Sequence, residues 1–509
     1  MTVRARRFAL VAAGLAPALV VGCAGIGPAR PSATIVPPAA APAEPAIRRT
    51  SATAVEDDPP PIPTTLPPVF GEPAPAEPGA AIAIDQAIAY ALRHNPRLRA
   101  ARAVVGQRLG REAEAFAPFL PQASISGRTG ATSRSLAPGG LAGGFGILAT
   151  AAERTHEFRE INLQIQWRLH DFGRTLGRYD QSLSQSRMAA LRFARAQETV
   201  AFDVVIAYQQ ARLAAALRAI QEQAIKSAES TLDDIRARRV AGAADRDDEL
   251  RGLVQLAEAR DGLVVAREQE QAALARLNNA MGRPAALAIA IAPGDDDEPG
   301  PVPPIEESLA IAAARRPEIG EARAAVAAAR SGRDAAAADF LPIVTLLGSQ
   351  GVVEGEAVRP GYLGGVGLVL EQPLYRGGAR TGAVRVADAE VDEACALAQS
   401  ILDNVTLEVT LAHLGIVAGR DRIELARPAV DQARENLRMV RDQYRNGDAT
   451  PTDIVDAETA LTRAQQRDLS ARYEYREALA RLEYARGDRQ GSRAAPAEAA
   501  RLDPPPDGG

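Results

Sequence analysis

Few residues in this chain are of the kinds that do covalent chemistry. Its four histidines (His94, His156, His170, His413) and two cysteines (Cys23, Cys395) are scattered, and they form no metal-ligand spacing. The expectation is therefore no metal, no cofactor and no catalytic residue. HDFG at 170–173 imitates a kinase metal-binding motif, yet no Gly-rich phosphate loop or matching catalytic loop accompanies it. Acidic residues are abundant, but beside arginines on long helices they form a solvated face. One acidic stretch stands apart: in NGDATPTDIVDAETAL, Asp453 and Asp456 lie one helical turn apart, just beyond the turn glycine Gly447. Carboxylates are what the positive end of a helix dipole favours in a first turn. The chemistry on offer is ionic, and the chain reads as no enzyme.

The elements that carry these residues follow from composition. Of 509 residues, 46% are hydrophobic but only 4% aromatic, so the apolar content is mostly alanine. Small side chains suit closely packed helices rather than a thick core. A net charge of −5 with mixed signs leaves no basic footprint, and nucleic acid is excluded as a partner.

The N-terminus opens with Arg4, Arg6 and Arg7, then FALVAAGLAPALVVG, then Cys23. This resembles a bacterial lipoprotein signal, with Val20, Val21, Gly22 and Cys23 as the lipobox. The resemblance implies a signal peptide over 1–22, lipidation (palmitate) of Cys23 and, with Ala24 next, sorting to the outer membrane. An ordinary signal peptide containing a cysteine is the competing reading. A Pro/Ala-rich tether follows over 23–79, and the tail, 488–509, has a similar disordered composition. No run of about 20 apolar residues follows the signal, so no transmembrane helix is expected.

An internal repeat organises the rest. IDQAIAYALRHNPRL (84–98) matches IEESLAIAAARRPEI (305–319), placing Pro96 on Pro317 at 317 − 96 = 221. The same offset carries Phe119-Leu120-Pro121 onto Phe340-Leu341-Pro342. It then falls to 205: Leu169 pairs with Leu374, Gly173 with Gly378, Gly242 with Gly447, Asp248 with Asp453 and Gly282 with Gly487. The domains are thus a first repeat at 80–282, a linker at 283–304 and a second repeat at 305–487.

Each repeat reads alike. A helix (84–94) leads through Asn95-Pro96, a cap and first-turn pair, into a second helix ending near 117 at FLP. Two strands follow, at about 121–133 and 159–170 in the first repeat and 342–352 and 362–375 in the second, each pair a hairpin. In the stretch 161–169, Ile161, Leu163, Ile165, Trp167 and Leu169 alternate with Asn162, Gln164, Gln166 and Arg168; Val366, Leu368, Leu370 and Leu374 are their apolar counterparts. Helices at about 176–241 and 381–446, each roughly 100 Å long, then reach the glycine turns Gly242 and Gly447 and return over 246–281 and 452–486. Four strands close no barrel and open edges cannot face lipid, so other subunits must complete the sheet. A half-buried sheet in a soluble domain is the alternative for a single such strand.

The paired AYALRHNPRLRAARA and AIAAARRPEIGEARA, the FLP stops, the strand ends WRLHDFGR and QPLYRGG, and the spacing of Gly447, Asp453, Ala457 and Leu461 resemble the TolC family of outer-membrane efflux proteins over about 80–487. The lipobox makes the chain similar to the lipoprotein branch that serves resistance-nodulation-division (RND) multidrug systems. The resemblance implies a mostly α, α+β fold: an internally duplicated protomer whose two β-hairpins supply four strands of a shared trimeric β-barrel, with long antiparallel helical hairpins forming a periplasmic α-barrel. It implies a homotrimer in outer-membrane lipid, closed at its inner tip until a periplasmic adaptor (membrane fusion) protein and an inner-membrane RND-type pump engage it, exporting small molecules or drugs.

In that frame Asp453 and Asp456 form stacked carboxylate rings at a periplasmic gate, Tyr444 and Asp248 form a latch bond, and Gly242 and Gly447 mark the tips that meet the adaptor. Ala449 departs from the family, whose best-known gate has an arginine there; Arg246 and Arg445 are candidate replacements. Two other functions stay open: the outer-membrane channel of a type I protein secretion system, and a structural periplasmic coiled-coil lipoprotein.

Overall fold

Prolines and glycines mark the ends of the elements, as their backbone chemistry requires. The computed structural model describes residues 81–132, 156–242, 244–292, 302–355 and 358–487; the signal peptide, Cys23, the tether and the C-terminal tail lie outside them. In chain order the elements are β1 (Ala81–Ile82), α1 (Ile84–His94), α2 (Pro96–Phe116), a 3-10 turn (Ala117–Phe119), β2 (Gln122–Thr132), β3 (His156–His170), α3 (Arg174–Val240), α4 (Arg246–Met281), β4 (Ala290–Ile291), α5 (Ile305–Arg315), α6 (Pro317–Ala338), β5 (Ile343–Gly355), β6 (Val358–Glu371), α7 (Ala379–Asn446) and α8 (Pro451–Arg486). Elements α1 to α4 recur as α5 to α8, and the hairpin β2–β3 recurs as β5–β6.

Repeated contacts accompany the repeated elements. Asn95 accepts the Arg97 N–H at 2.9 Å, the expected cap, while its side-chain amide donates to Ala280 O at 2.9 Å. That second bond ties the start of α2 to the end of α4. Gly282 sits beside it at φ +78°, where a Cβ would come within 2.8 Å of Asn95 Cα and Pro96 Cδ. Arg316 takes the place of Asn95 in the second repeat and donates to Ala485 O at 3.1 Å, the carbonyl equivalent to that of Ala280. Its buried charge is met by Glu318 at 2.8 Å and Glu408 at 2.7 Å, as burial of a guanidinium demands. Likewise Trp167 Nε1 donates to Phe119 O at 2.9 Å, and its repeat mate Gln372 donates through Nε2 to Phe340 O at 2.8 Å.

The main core is built where α1, α3 and α4 meet, from Ala87, Ile88, Ala91, Val204, Tyr208, Ala211, Leu277 and Met281. Alanine lets these helices approach closely, which is how a chain poor in aromatics buries them. Tyr208 also donates to Ile82 O at 3.1 Å and Ala292 O at 3.3 Å, fastening the two-residue parallel pair β1–β4.

The main sheet has the order β2-β3-β5-β6, antiparallel throughout. Pairing of β3 with β5 joins the two hairpins. Register sets Trp167, Leu346 and Leu368 in one row, and Ala123, Ile165, Gly348 and Val366 in another. The apolar positions of β3 and β6 therefore share one face, and Ile125, Ile161, Val366, Leu368 and Leu370 are all more than half exposed on it. The other face carries rows such as Ser124, Gln164, Ser349 and Gly365. Among the described residues, the outer edges of β2 and β6 pair with nothing.

Two strand limits need correction, and the hydropathy of the long helices needs an account. β5 runs to Gly355 and β6 starts at Val358, so the strands extend past the expected limits of 352 and 362, drawn in by the β-branched Val352 and Val353. β6 stops at Glu371, before Pro373, so Leu374 lies beyond the strand it was assigned to. Finally, α3 and α7 each contain an 18-residue window (mean hydropathy 1.2 and 1.4) apolar and long enough, by composition, to cross a membrane. In α3 the buried run Val200 to Ala214 belongs to the main core, so its hydropathy reflects helix packing.

Strand turns into helix at left-handed glycines: Gly173 (φ +96°) before α3, and Gly377 and Gly378 (φ +59° and +80°) before α7. Asp171 secures the first bend by accepting the Thr175 N–H at 2.9 Å and the Thr175 hydroxyl.

Candidate functional site at the helical tips

Each long helix ends in a glycine turn and re-enters a capped helix. Gly447 (φ +89°) donates to Tyr444 O at 3.2 Å, and Asp448 N–H reaches Gln443 O at 2.9 Å, closing α7. Thr450 then caps α8, with Pro451 in the first turn, where its missing N–H does no harm. Gly242 (φ +76°) plays the same part after α3, and Asp245 caps α4.

The sequence-selected residues gather here with uneven roles. Asp453 accepts from Thr450 N–H at 2.8 Å and from its hydroxyl at 2.7 Å. These bonds hold its carboxyl below the ordinary aspartate range. Asp248, its repeat mate, likewise accepts the Asp245 N–H at 3.1 Å. Both are half of a capping box. Asp456, one turn on, is exposed.

The expected Tyr444 to Asp248 bond is not formed. Tyr444 is 6% exposed, and its hydroxyl is buried without a hydrogen-bond partner. Its ring packs with Leu437, Ile454 and Ala457, and the Arg238 guanidinium stacks 3.9 Å from the ring centre. Burial chiefly pushes the phenol pKa up; Arg238 opposes this, while Asp248 and Asp234 add to it. Asp248 is thus a neighbour whose acceptor is engaged in its own helix cap. Ala449 packs on the same apolar cluster. Neither candidate replacement for the family's arginine reaches the tyrosine: Arg445 pairs with Asp442 in its own helix at 3.5 Å, and Arg246 is exposed. The arginine that meets the tyrosine is Arg238 of α3, by stacking on its ring.

Sequence reasoning missed a buried polar group one turn deeper. Glu458 of α8 is 5% exposed and meets Ser227 and Thr231 of α3 and Arg441 of α7. Its signal was position: it falls within the apolar stripe Ile454, Ala457, Leu461. Closer to the tip, Arg251 of α4 donates to Thr452 of α8 at 3.1 Å. The tips thus supply exposed carboxylates over a seam where both helical hairpins are joined by polar contacts. Among the described residues, no cluster of histidine, cysteine and acidic side chains has the arrangement of a metal site.

Comparison with known proteins bears on the family and the fold. The sequence profile of the outer membrane efflux proteins matches residues 87–283 and 309–488, one match per repeat. The alkaline protease secretion protein AprF of Pseudomonas aeruginosa is 25% identical over 408 residues, covering 78% of this chain and 82% of its own length. The pyoverdine export outer membrane protein OpmQ of Pseudomonas putida is 25% identical over 393 residues, 75% of this chain and 81% of its own. The outer membrane protein VceC of Vibrio cholerae superposes with a TM-score of 0.69 at 20% identity, covering 79% of this chain and 96% of that one.

Proposed function

The chain belongs to the outer membrane efflux protein family, and on that premise we propose that it is the outer-membrane channel of a tripartite efflux system, a passive trimeric conduit for small molecules. The observation that carries this reading is the sheet. It has one exposed apolar face, one polar face and, among the described residues, two unpaired edges, and it feeds directly into helices of 67 and 68 residues. Three copies would supply twelve strands, within the range of closed outer-membrane barrels. Their apolar faces would meet lipid and their Ser/Gln faces a watery lumen. The helices, about 100 Å long, would carry the lumen across the periplasm.

At the far end, Asp453 and Asp456 of three chains would form two carboxylate rings about 4.5 Å apart along the axis. Such rings attract cations and are plugged by divalent ones. Gly242 and Gly447 would present the tips to a periplasmic adaptor and, through it, to an inner-membrane RND-type pump. Lipidation of Cys23 would anchor the chain to the outer membrane.

Purified protein in planar bilayers tests the core claim. Wild type is expected to form low-conductance, cation-preferring channels that divalent ions block. Asp453→Ala with Asp456→Ala should raise conductance and abolish the block; a variant identical to wild type refutes the gate. The similarity to AprF, named for protease secretion, favours one second reading, a conduit for a secreted protein. Deletion of the gene separates them: drug sensitivity supports efflux, and loss of a secreted polypeptide supports secretion.

A further inference from the structure

The sheet order shows which joint between repeats lies inside a chain. β3 pairs with β5, while among the described residues the outer edges of β2 and β6 stay open. Along the helices the same internal joint runs between α3 and α6. There Arg174 pairs with Asp339, Arg192 with Glu321 and Arg195 with Glu318, each at 2.6 Å. All three arginines belong to the first repeat and all three acids to the second. Gly177 of α3 lets the helices approach, since a Cβ there would lie 2.8 Å from Ser331 O.

The repeat carries these positions to the two open sides of the protomer (397 − 192 = 205 and 321 − 100 = 221), and the chemistry changes. Ala379, Leu397 and Ser400 stand in place of the arginines, and Pro118, Ala100 and Arg97 in place of the acids. Leu397 is 57% exposed on α7. Gly382 is the mate of Gly177 and Gly110 that of Ser331, yet a Cβ at either would meet nothing within 4 Å. Likewise α6 packs on both α3 and α7, whereas its mate α2 packs on α3. The protomer therefore presents a face like that of α3 on one side and a face like that of α6 on the other. A second copy supplies the missing half of each. Setting α7 of one copy against α2 of the next repeats the α3–α6 joint, brings Gly382 onto Gly110 and extends the sheet from β6 to β2.

Joining like repeats fails on charge. If α3 met α2 of another copy, Arg174 and Arg192 would face Pro118 and Ala100, and Arg195 would exchange Glu318 for Arg97. If α7 met α6 of another copy, Asp339, Glu321 and Glu318 would face Ala379, Leu397 and Ser400. The side chains of Arg174 and Arg195 are each 13% exposed, so water offers little in place of a lost carboxylate. Discrimination then comes from what the wrong partner lacks. We propose that the three ion pairs sort the joints of the assembly: the ionic joint closes within a chain, the apolar joint at Leu397 and Ala100 receives a second copy, and like repeats are refused. These residues act on partner choice and not on the passage. The proposal rests on the trimeric reading above and adds what makes first and second repeats alternate around it.

Two experiments on the purified full chain test it. Gly382→Leu adds a side chain where the lone protomer has open space, so helix content should hold while the heat-resistant trimer falls about tenfold. A wild-type yield of trimer overturns the docking of α7 on α2. The second experiment gives the internal joint the chemistry of the open sides, through Arg174→Ala and Arg192→Leu with Asp339→Ala and Glu321→Ala. After refolding from urea, native mass spectrometry should find the share of assemblies larger than three chains raised about tenfold over wild type, the scale of two lost ion pairs. Reversing both pairs, Arg174→Asp with Asp339→Arg and Arg192→Glu with Glu321→Arg, should restore the wild-type share. Ion pairs that only stabilise would lower the melting temperature and leave the sizes unchanged, which overturns the sorting. Should the fourfold variant not fold, Arg192→Leu with Glu321→Ala alters one pair whose arginine is 58% exposed and should raise that share about threefold. A wild-type share there overturns the sorting as well. A wild-type chain that forms no trimer refutes the trimeric conduit itself.

Discussion

Replacing Ile165 with arginine puts the two faces of the sheet to a quantitative test. β3 has 15 residues, about 50 Å at 3.3 Å per residue, or roughly 35 Å of membrane depth at a tilt near 45°. Ile165 lies two residues past the middle of the strand, about 5 Å from the midplane on that estimate. Its cross-strand partners are Ala123 and Gly348, neither of which has a polar side chain to offer a guanidinium. An arginine facing lipid near the midplane costs about 2–4 kcal/mol. In a three-chain barrel that becomes about 6–12 kcal/mol per assembly, while each protomer loses about 30-fold to 1000-fold in its folding equilibrium. Gln164 is the internal control: one residue away, it faces the other side in a row with Ser124 and Ser349. Urea titration of folding into lipid vesicles and the yield of heat-resistant trimers in outer membranes both report the difference. Ile165→Arg should lose nearly all trimer, and Gln164→Arg should keep it. Equal losses, or a larger loss at Gln164, would refute the assignment of the apolar face to lipid.

Tyr444→Phe removes a buried hydroxyl that has no partner, so stability should hold or rise by up to about 1–3 kcal/mol, with channel closure unchanged. Opening by this variant would mean that Tyr444 bonds Asp248 in the assembled channel. Arg238→Ala should cost about 0.5–2 kcal/mol in urea denaturation through loss of its stacking on Tyr444, and an unchanged midpoint would dismiss that contact. Thr450→Ala removes a donor that holds the Asp453 carboxyl below its ordinary range. Because the folded pKa is depressed, the bond's stabilisation is present above the ordinary aspartate pKa and fades as pH falls through the lowered value. Melting of wild type and Thr450→Ala should therefore differ at neutral pH and converge in acid; a constant gap would contradict this. Cys23→Ala should abolish incorporation of labelled palmitate, and persistent labelling would exclude lipidation at that cysteine.

Most of the helical architecture was legible because proline, glycine and the repeat all act locally. Gly447 ends α7 and Pro451 starts α8 within a few residues of each other, and no tertiary contact is needed to see it. The repeat then allowed each boundary to be checked against its mate. Strand limits were less legible, since Val352 and Val353 extend β5 only by pairing with residues of β3 and β6. The seam contacts were read least well. Glu458 and Arg316 look like members of a solvated charge pattern, and their burial depends on helices more than 75 residues away in sequence. Position within an apolar stripe marked Glu458, and substitution at the place of Asn95 marked Arg316. The expected Tyr444 latch failed for a related reason: a motif names the residues, while the competition of the helix cap for Asp248 is visible only in three dimensions.

The anchors at Asn95 and Arg316 have a further consequence for symmetry. In a trimeric channel a duplicated chain would contribute to a ring of six like units, and a perfect repeat would brace all six alike from within. Here the first repeat is braced by a neutral contact, an amide on the Ala280 carbonyl, and the second by an ionic one, a guanidinium on the Ala485 carbonyl with Glu318 and Glu408 beside it. Ionic strength acts on the second kind and leaves the first almost untouched. A ring whose units are braced in alternation would not loosen evenly. Salt should therefore loosen every other unit from within, which would turn sixfold geometry into threefold motion.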